Sequence, residues 1–169
     1  MNKIVKRIIY AIVAVVVAKF VGGYMGKEMA KANAQPTYSA TAPKTTEQAF
    51  VEGQKVMEAA FNKPPSEFCR QQGEQQTISL EKTIQITDHT LIAGLIGQAC
   101  TGGQDMALKM REWGMTNAQI RTSADETSSF IPTYKARFEA EGMDSQTATE
   151  MARAFISAMQ TGYTVELAR

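Results

Sequence analysis

Histidine occurs once in this 169-residue chain and cysteine twice, and each scarcity removes a class of chemistry. With His89 alone, a zinc site would need cysteines or carboxylates to complete it, and no spacing around His89 resembles a metal-binding pattern. Cys69 and Cys100 form no C-x-x-C pair, which excludes a thioredoxin-like redox motif. Positive charge is also missing where a nucleic acid would need it. Residues 1–35 hold six Lys/Arg against Glu28 alone, which leaves 12 basic and 16 acidic residues for the remainder. A mildly acidic body lacks the basic patch that DNA or RNA affinity requires.

The apolar run Ile8–Ala18 has eleven residues, well short of the roughly 20 that span a bilayer. Lys19 and the weaker stretch Phe20–Met25 follow it. Counted from Ile4 to Met25 the segment reaches roughly 33 Å as a helix, against a hydrocarbon core of about 30 Å. Arg7 lies near one end, and Lys19 is close enough to the other to snorkel to the headgroups. Basic residues Lys3, Lys6 and Arg7 dominate the short flank, while Lys27 and Lys31 on the far side are partly offset by Glu28. The positive-inside rule then places the N-terminus in the cytoplasm and residues 26–169 in the periplasm of a bacterial inner membrane. The expectation is a transmembrane signal anchor over 4–25 with boundary residues Arg7, Lys19 and Lys27. The small-x-small stretch Ala30–Gln35 offers a competing signal-peptidase cut after Ala34, which would release a soluble periplasmic protein. Its distance from Ala18 favours the uncleaved anchor. Gly22 and Gly26 make one G-x-x-x-G match, the only hint of a homo-oligomer.

Residues 26–44 are rich in Ala, Thr and Pro and read as a flexible linker. The exported domain, 45–169, is expected to be mainly α: an antiparallel bundle of about five helices, with one short strand segment possible at 77–87. Thr45 with Gln48 makes a capping box before a helix that runs to about Phe61, and Pro64-Pro65 ends it. Ser66 is placed to cap a short turn holding Phe68 and Cys69. In Thr77–Thr87, Ile78, Leu80, Ile84 and Ile86 alternate with polar residues, the period of a strand. Such a strand has no obvious mate in its own chain, so its exposed edge offers pairing to another protein. A helix capped by Ser79 is the equal alternative.

Leu91–Cys100 is apolar nearly all round and predicts a buried central helix, with a second short helix carrying Met106, Met110 and Trp113 after Thr101-Gly102-Gly103. Trp113–Gln119 and Glu141–Thr147 share one corner grammar: Gly as left-handed C-cap, Met as its hydrophobic contact, then Thr116 or Asp144 as the next N-cap. Between them Ile120, Ala124, Thr127, Ile131, Tyr134 and Phe138 form a stripe that runs through Pro132. It predicts one kinked helix or two nearly collinear ones. A last helix buries Ala148, Met151, Ala152, Phe155 and Met159 and is expected to end near Gly162.

An even cysteine count in an exported domain predicts a Cys69–Cys100 disulfide. Ser79-Leu80-Glu81-Lys82 matches the S-x-x-K of penicillin-binding enzymes, but neither S-x-N nor K-T-G follows it. The methionines beyond residue 35 lie on the core stripes, where they fill gaps rather than ligate copper. Met115–Gln119 is similar to the L-T-x-x-Q motif of Spy-type periplasmic chaperones; its Thr116 and Gln119 also make a capping box, and the family's function is not carried over. No catalytic, cofactor or metal residues emerge, so the sequence reads as a non-enzymatic membrane protein that binds other envelope proteins. It would serve as a subunit of an envelope assembly or as a protective factor of the immunity or exclusion type. The alternative is an envelope hydrolase or chaperone, which would require Asp88, His89 or Glu81 to meet in a cleft.

Overall fold

The structure is a computed structural model that describes residues 46–169. The anchor with Arg7, Lys19 and Lys27, the linker, the cut after Ala34 and the Thr45 cap lie outside the described residues. The elements run α1 (Thr46–Phe61), α2 (Glu67–Leu80), α3 (His89–Glu112), α4 (Asn117–Glu126), a 3-10 turn (Thr127–Phe130), α5 (Ile131–Ala140) and α6 (Ser145–Leu167). Among the described residues there is no strand, and no helix is long and apolar enough to cross a membrane.

The strand expected at 77–87 is therefore corrected. Ser66 caps not a short turn but the 14-residue α2, its hydroxyl accepting from Cys69 N at 3.4 Å. Gly73, Thr77 and Leu80 are the buried face of that helix, and Ile84 continues it inward. These positions step by 4, 3 and 4, a helical period. It was hidden because Gly73 and Thr77 are not apolar. Thr77 tolerates burial because its Oγ1 donates to Gly73 O at 2.8 Å, leaving no unpaired hydroxyl. Of the four residues proposed for a partner-facing edge, Leu80 and Ile84 belong to the core, Ile86 packs partly against it, and only Ile78 is exposed.

Two further boundaries move for one reason. The break expected at Gly102-Gly103 is absent, and α3 runs 24 residues from an Asp88 cap. The last helix continues past Gly162 to Leu167. Glycines here mark close approach rather than chain breaks. A Cβ on Gly103 would overlap the carbonyl oxygen of Met159, and one on Gly162 that of Cys100. Thus α3 and α6, the most extensively packed pair, cross backbone against backbone. On its other side α3 meets α2, where a Cβ on Gly73 would overlap Ala93 O. At that crossing Cys69 and Cys100 are joined, with Sγ–Sγ 2.02 Å and Cα–Cα 5.5 Å, both residues fully buried.

The stripe through Pro132 resolves into α4, the 3-10 turn and α5, with Pro132 in the first turn of α5. Proline lacks the N–H that would continue an α-ladder and is tolerated at a helix start. The tighter turn rotates the stripe, so Phe130 is buried where Ile131 was expected. Both predicted corners form as read. Met115 N and Gly114 N bond Met110 O and Arg111 O, and Met143 N and Gly142 N bond Phe138 O and Glu139 O. Gly114 and Gly142 carry φ of 86° and 95°, the left-handed region that favours glycine. Thr116 with Gln119 completes a capping box, and Asp144 caps α6.

The core holds Trp113, Tyr134, Tyr163, Phe155 and Ile96, with Met57, Met110 and Met159 filling the gaps between them. Phe155 lies against Phe61 and Tyr134, ring centroids 5.9 and 5.2 Å apart. α1 docks on α3 where Met57 and Ala60 lie against Gly102, and through Gln98 Nε2, which donates to Phe61 O at 3.1 Å. At the far end of the α3–α6 pair, buried Glu166 accepts from Arg111 Nη1 and from Arg169 Nη1, each at 3.1 Å. Arg111 Nη2 also donates to the Glu166 carbonyl at 2.8 Å. Removing one partner of such a pair leaves the other charge uncompensated. With Arg111 still partly in water, Glu166→Gln is expected to destabilise by about 2 kcal/mol, read as a lower urea midpoint at unchanged slope.

Candidate binding groove and histidine clamp

Two features of the α2 end of the bundle can carry function. The first is a shallow trough of about 310 Å³, open to solvent, between the C-terminal half of α2 and the middle of α6. Gln76, Ser79, Leu80 and Thr83 form one wall, and Glu150, Arg153, Ala154 and Ser157 the other. Its composition follows from helical spacing. Positions 76, 79, 80 and 83 share one flank of α2 and its continuation, as 150, 153, 154 and 157 share one flank of α6. Leu80 and Ala154 give it an apolar floor, and Arg153 Nη1 is held by Glu150 Oε1 at 2.9 Å. Gln76 Oε1 is buried in the trough wall with no hydrogen-bond partner among the described residues.

The second feature is His89, the first residue of α3. Its Nδ1 lies 2.7 Å from Glu81 Oε1, and its Nε2 lies 2.9 Å from Glu74 Oε2. The hydrogen bond to Glu81 and then that to Glu74 raise the ring's pKa above its ordinary value. Asp88 takes no part in the cluster; its Oδ1 accepts from Leu91 N at 2.9 Å as the cap of α3. Of the residues named for a hydrolase's cleft, the structure joins His89 and Glu81 on the surface and turns Asp88 to Leu91 N. Ser79 lines the trough while Lys82 lies on the exposed turn beyond α2, so S-x-x-K assembles no helical nucleophile and base.

Chemically the trough offers hydrogen bonds, an apolar floor and one guanidinium already paired. Both nitrogens of the histidine face carboxylates, so neither is turned toward a substrate or a metal. Among the described residues, no group of three His, Cys, Asp or Glu side chains is arranged to hold a metal ion. Sequence reasoning set His89 beside Asp88, named Glu81 only among the residues a hydrolase would require, and missed Glu74, fifteen residues away. It also missed the α6 wall, which only the α2–α6 contact brings into place. No family model matches the chain, and neither a curated protein nor a solved structure does.

Proposed function

We propose that this chain is a single-pass inner-membrane protein whose periplasmic helical domain acts by binding another envelope protein. The observation that carries the reading over catalysis is the occupancy of both nitrogens of the only histidine by carboxylates. General acid–base work needs the proton-exchanging nitrogen within hydrogen-bond reach of the substrate, and here both nitrogens are turned to carboxylates. The trough between α2 and α6 supports contact with a polypeptide, since its open shape and mixed walls suit a peptide segment better than a sequestered small molecule. The anchor at 4–25 and the linker at 26–44 would hold this surface off the membrane, within reach of an envelope assembly or of an incoming protein to be excluded.

Two experiments test this. Alkaline phosphatase fused after Arg169 is expected to be active, and an inactive fusion overturns the exported topology. A photocrosslinking residue at Ser79 or Ser157 is expected to give a discrete adduct with an envelope protein in native membranes, and one at Lys135 on α5 is not. Equal adducts at all three positions, or none at any, overturn the binding reading.

A further inference from the structure

The geometry around His89 selects a protonation state. A neutral imidazole carries one N–H and one lone pair, so it can donate to only one of two flanking carboxylates. Its other nitrogen would then face a carboxylate oxygen, lone pair against lone pair. Contacts of 2.7 and 2.9 Å on both nitrogens therefore belong to the imidazolium, with a charge-assisted hydrogen bond on each side. One influence opposes this. His89 opens α3, and the positive end of a helix disfavours a cation. The two carboxylates outweigh it, and the ring's pKa is raised. The charged groups that face the ring are Glu74 on α2 and Glu81 at the C-cap of α2. Asp88, its neighbour in the chain, is turned to Leu91 N.

The three members of the cluster sit where they can act on the chain between them. Glu74 is on the body of α2, Glu81 is the first residue past its end, and His89 begins α3. The connection Glu81–Asp88 thus leaves and returns beside the same ring. Within it Thr83 N and Ile84 N bond Leu80 O at 2.8 and 2.9 Å, Ile84 is buried and Ile86 packs partly against the core. Leu80 and Thr83, on either side of Glu81, are walls of the trough.

We infer that His89 is a pH-dependent clamp: as the imidazolium it ties Glu81 to Glu74 and fixes the α2–α3 connection, and loss of its proton to water releases one carboxylate and loosens that trough wall. This does not depend on the trough taking a partner. The sign follows from the elevated ring pKa. The clamp's stabilisation is complete below about pH 6.5, the ordinary histidine value, and is lost as pH rises through the higher value of the folded state.

Because His89 is the only histidine, its ring carbon protons can be followed by NMR without ambiguity in the full-length chain in detergent. The expected midpoint lies above 6.5, and the methyl signals of Ile84 and Ile86 shift with that same midpoint. In Glu81→Gln and in Glu74→Gln the midpoint falls toward 6.5, and the methyl transitions move with it. A wild-type midpoint at or below 6.5, or isoleucine methyls that stay still while the ring titrates, overturns the clamp. His89→Gln is expected to abolish the methyl transition; if that variant does not fold, the two glutamate variants decide the question alone.

Discussion

Replacing Cys69 and Cys100 together with alanine is expected to lower the unfolding free energy by about 3–4 kcal/mol, the chain-entropy value for a loop of this size. The sequence separation of 31 places all of α2 beyond Cys69, the α2–α3 connection and the first half of α3 inside the covalent loop. Without the bond the unfolded chain regains that freedom. The native state also loses two buried sulfurs from the tightest part of its core. Against a total of about 5–15 kcal/mol for a domain of this size, the loss is a large fraction. Alanine is the informative replacement, because serine would add the separate cost of a buried hydroxyl. Urea unfolding of oxidised wild type and the double variant measures the difference, and one below about 1 kcal/mol would mean that the packed helices alone hold the loop.

The second large effect concerns three glycines on one helix pair. Gly103→Ala and Gly162→Ala each drive a methyl into a backbone carbonyl of the facing helix, Met159 O and Cys100 O respectively. A carbonyl in an α-helix cannot turn aside as a side chain can, so α3 and α6 must separate. Overpacking typically costs 1–3 kcal/mol, and a backbone obstacle with no rotamer escape places these variants at about 3 kcal/mol or beyond. Gly94→Ala reverses the sign. It lies inside α3 with nothing within 4 Å of its would-be Cβ, so alanine's higher helix propensity is expected to stabilise by about 0.5–1 kcal/mol. The same substitution, opposite in outcome within ten residues of one helix, separates crossing geometry from propensity. Thermal midpoints of the three variants would show it, and three equal shifts would refute it.

This contrast also explains what the sequence disclosed and what it hid. Corners written in local grammar were legible: Gly114 and Gly142 need φ above zero, and Thr116 and Asp144 need a free N–H to cap. Each requirement is met within a few residues. The disulfide was legible from cysteine count alone. Illegible were features whose cause lies across the fold. Gly103 and Gly162 look like breaks until a facing backbone explains them, and Gly102 until the Met57 side chain laid against it does. Thr77 looks like the start of a strand until Gly73, one turn earlier, accepts its hydroxyl. In the candidate site, Ser79 and Leu80 stood in a segment already singled out, though for the wrong geometry. Arg153, Ser157 and Glu74 gave no local sign, because only tertiary packing brings them beside α2 and His89.

The small-residue crossing at Cys100 bears on the order in which the molecule is assembled. Cys100 is bonded through its sulfur to α2 and is covered at its carbonyl by Gly162 of α6, so one residue is the joint of three helices. Both sulfurs are fully buried in the finished domain. An oxidant reaches a thiolate only while it is accessible. The bond must therefore be made before the helices around it, α2 and α3 first of all, are fully packed. A chain that packs first would shut its own thiols away, and would have to come apart again to be oxidised.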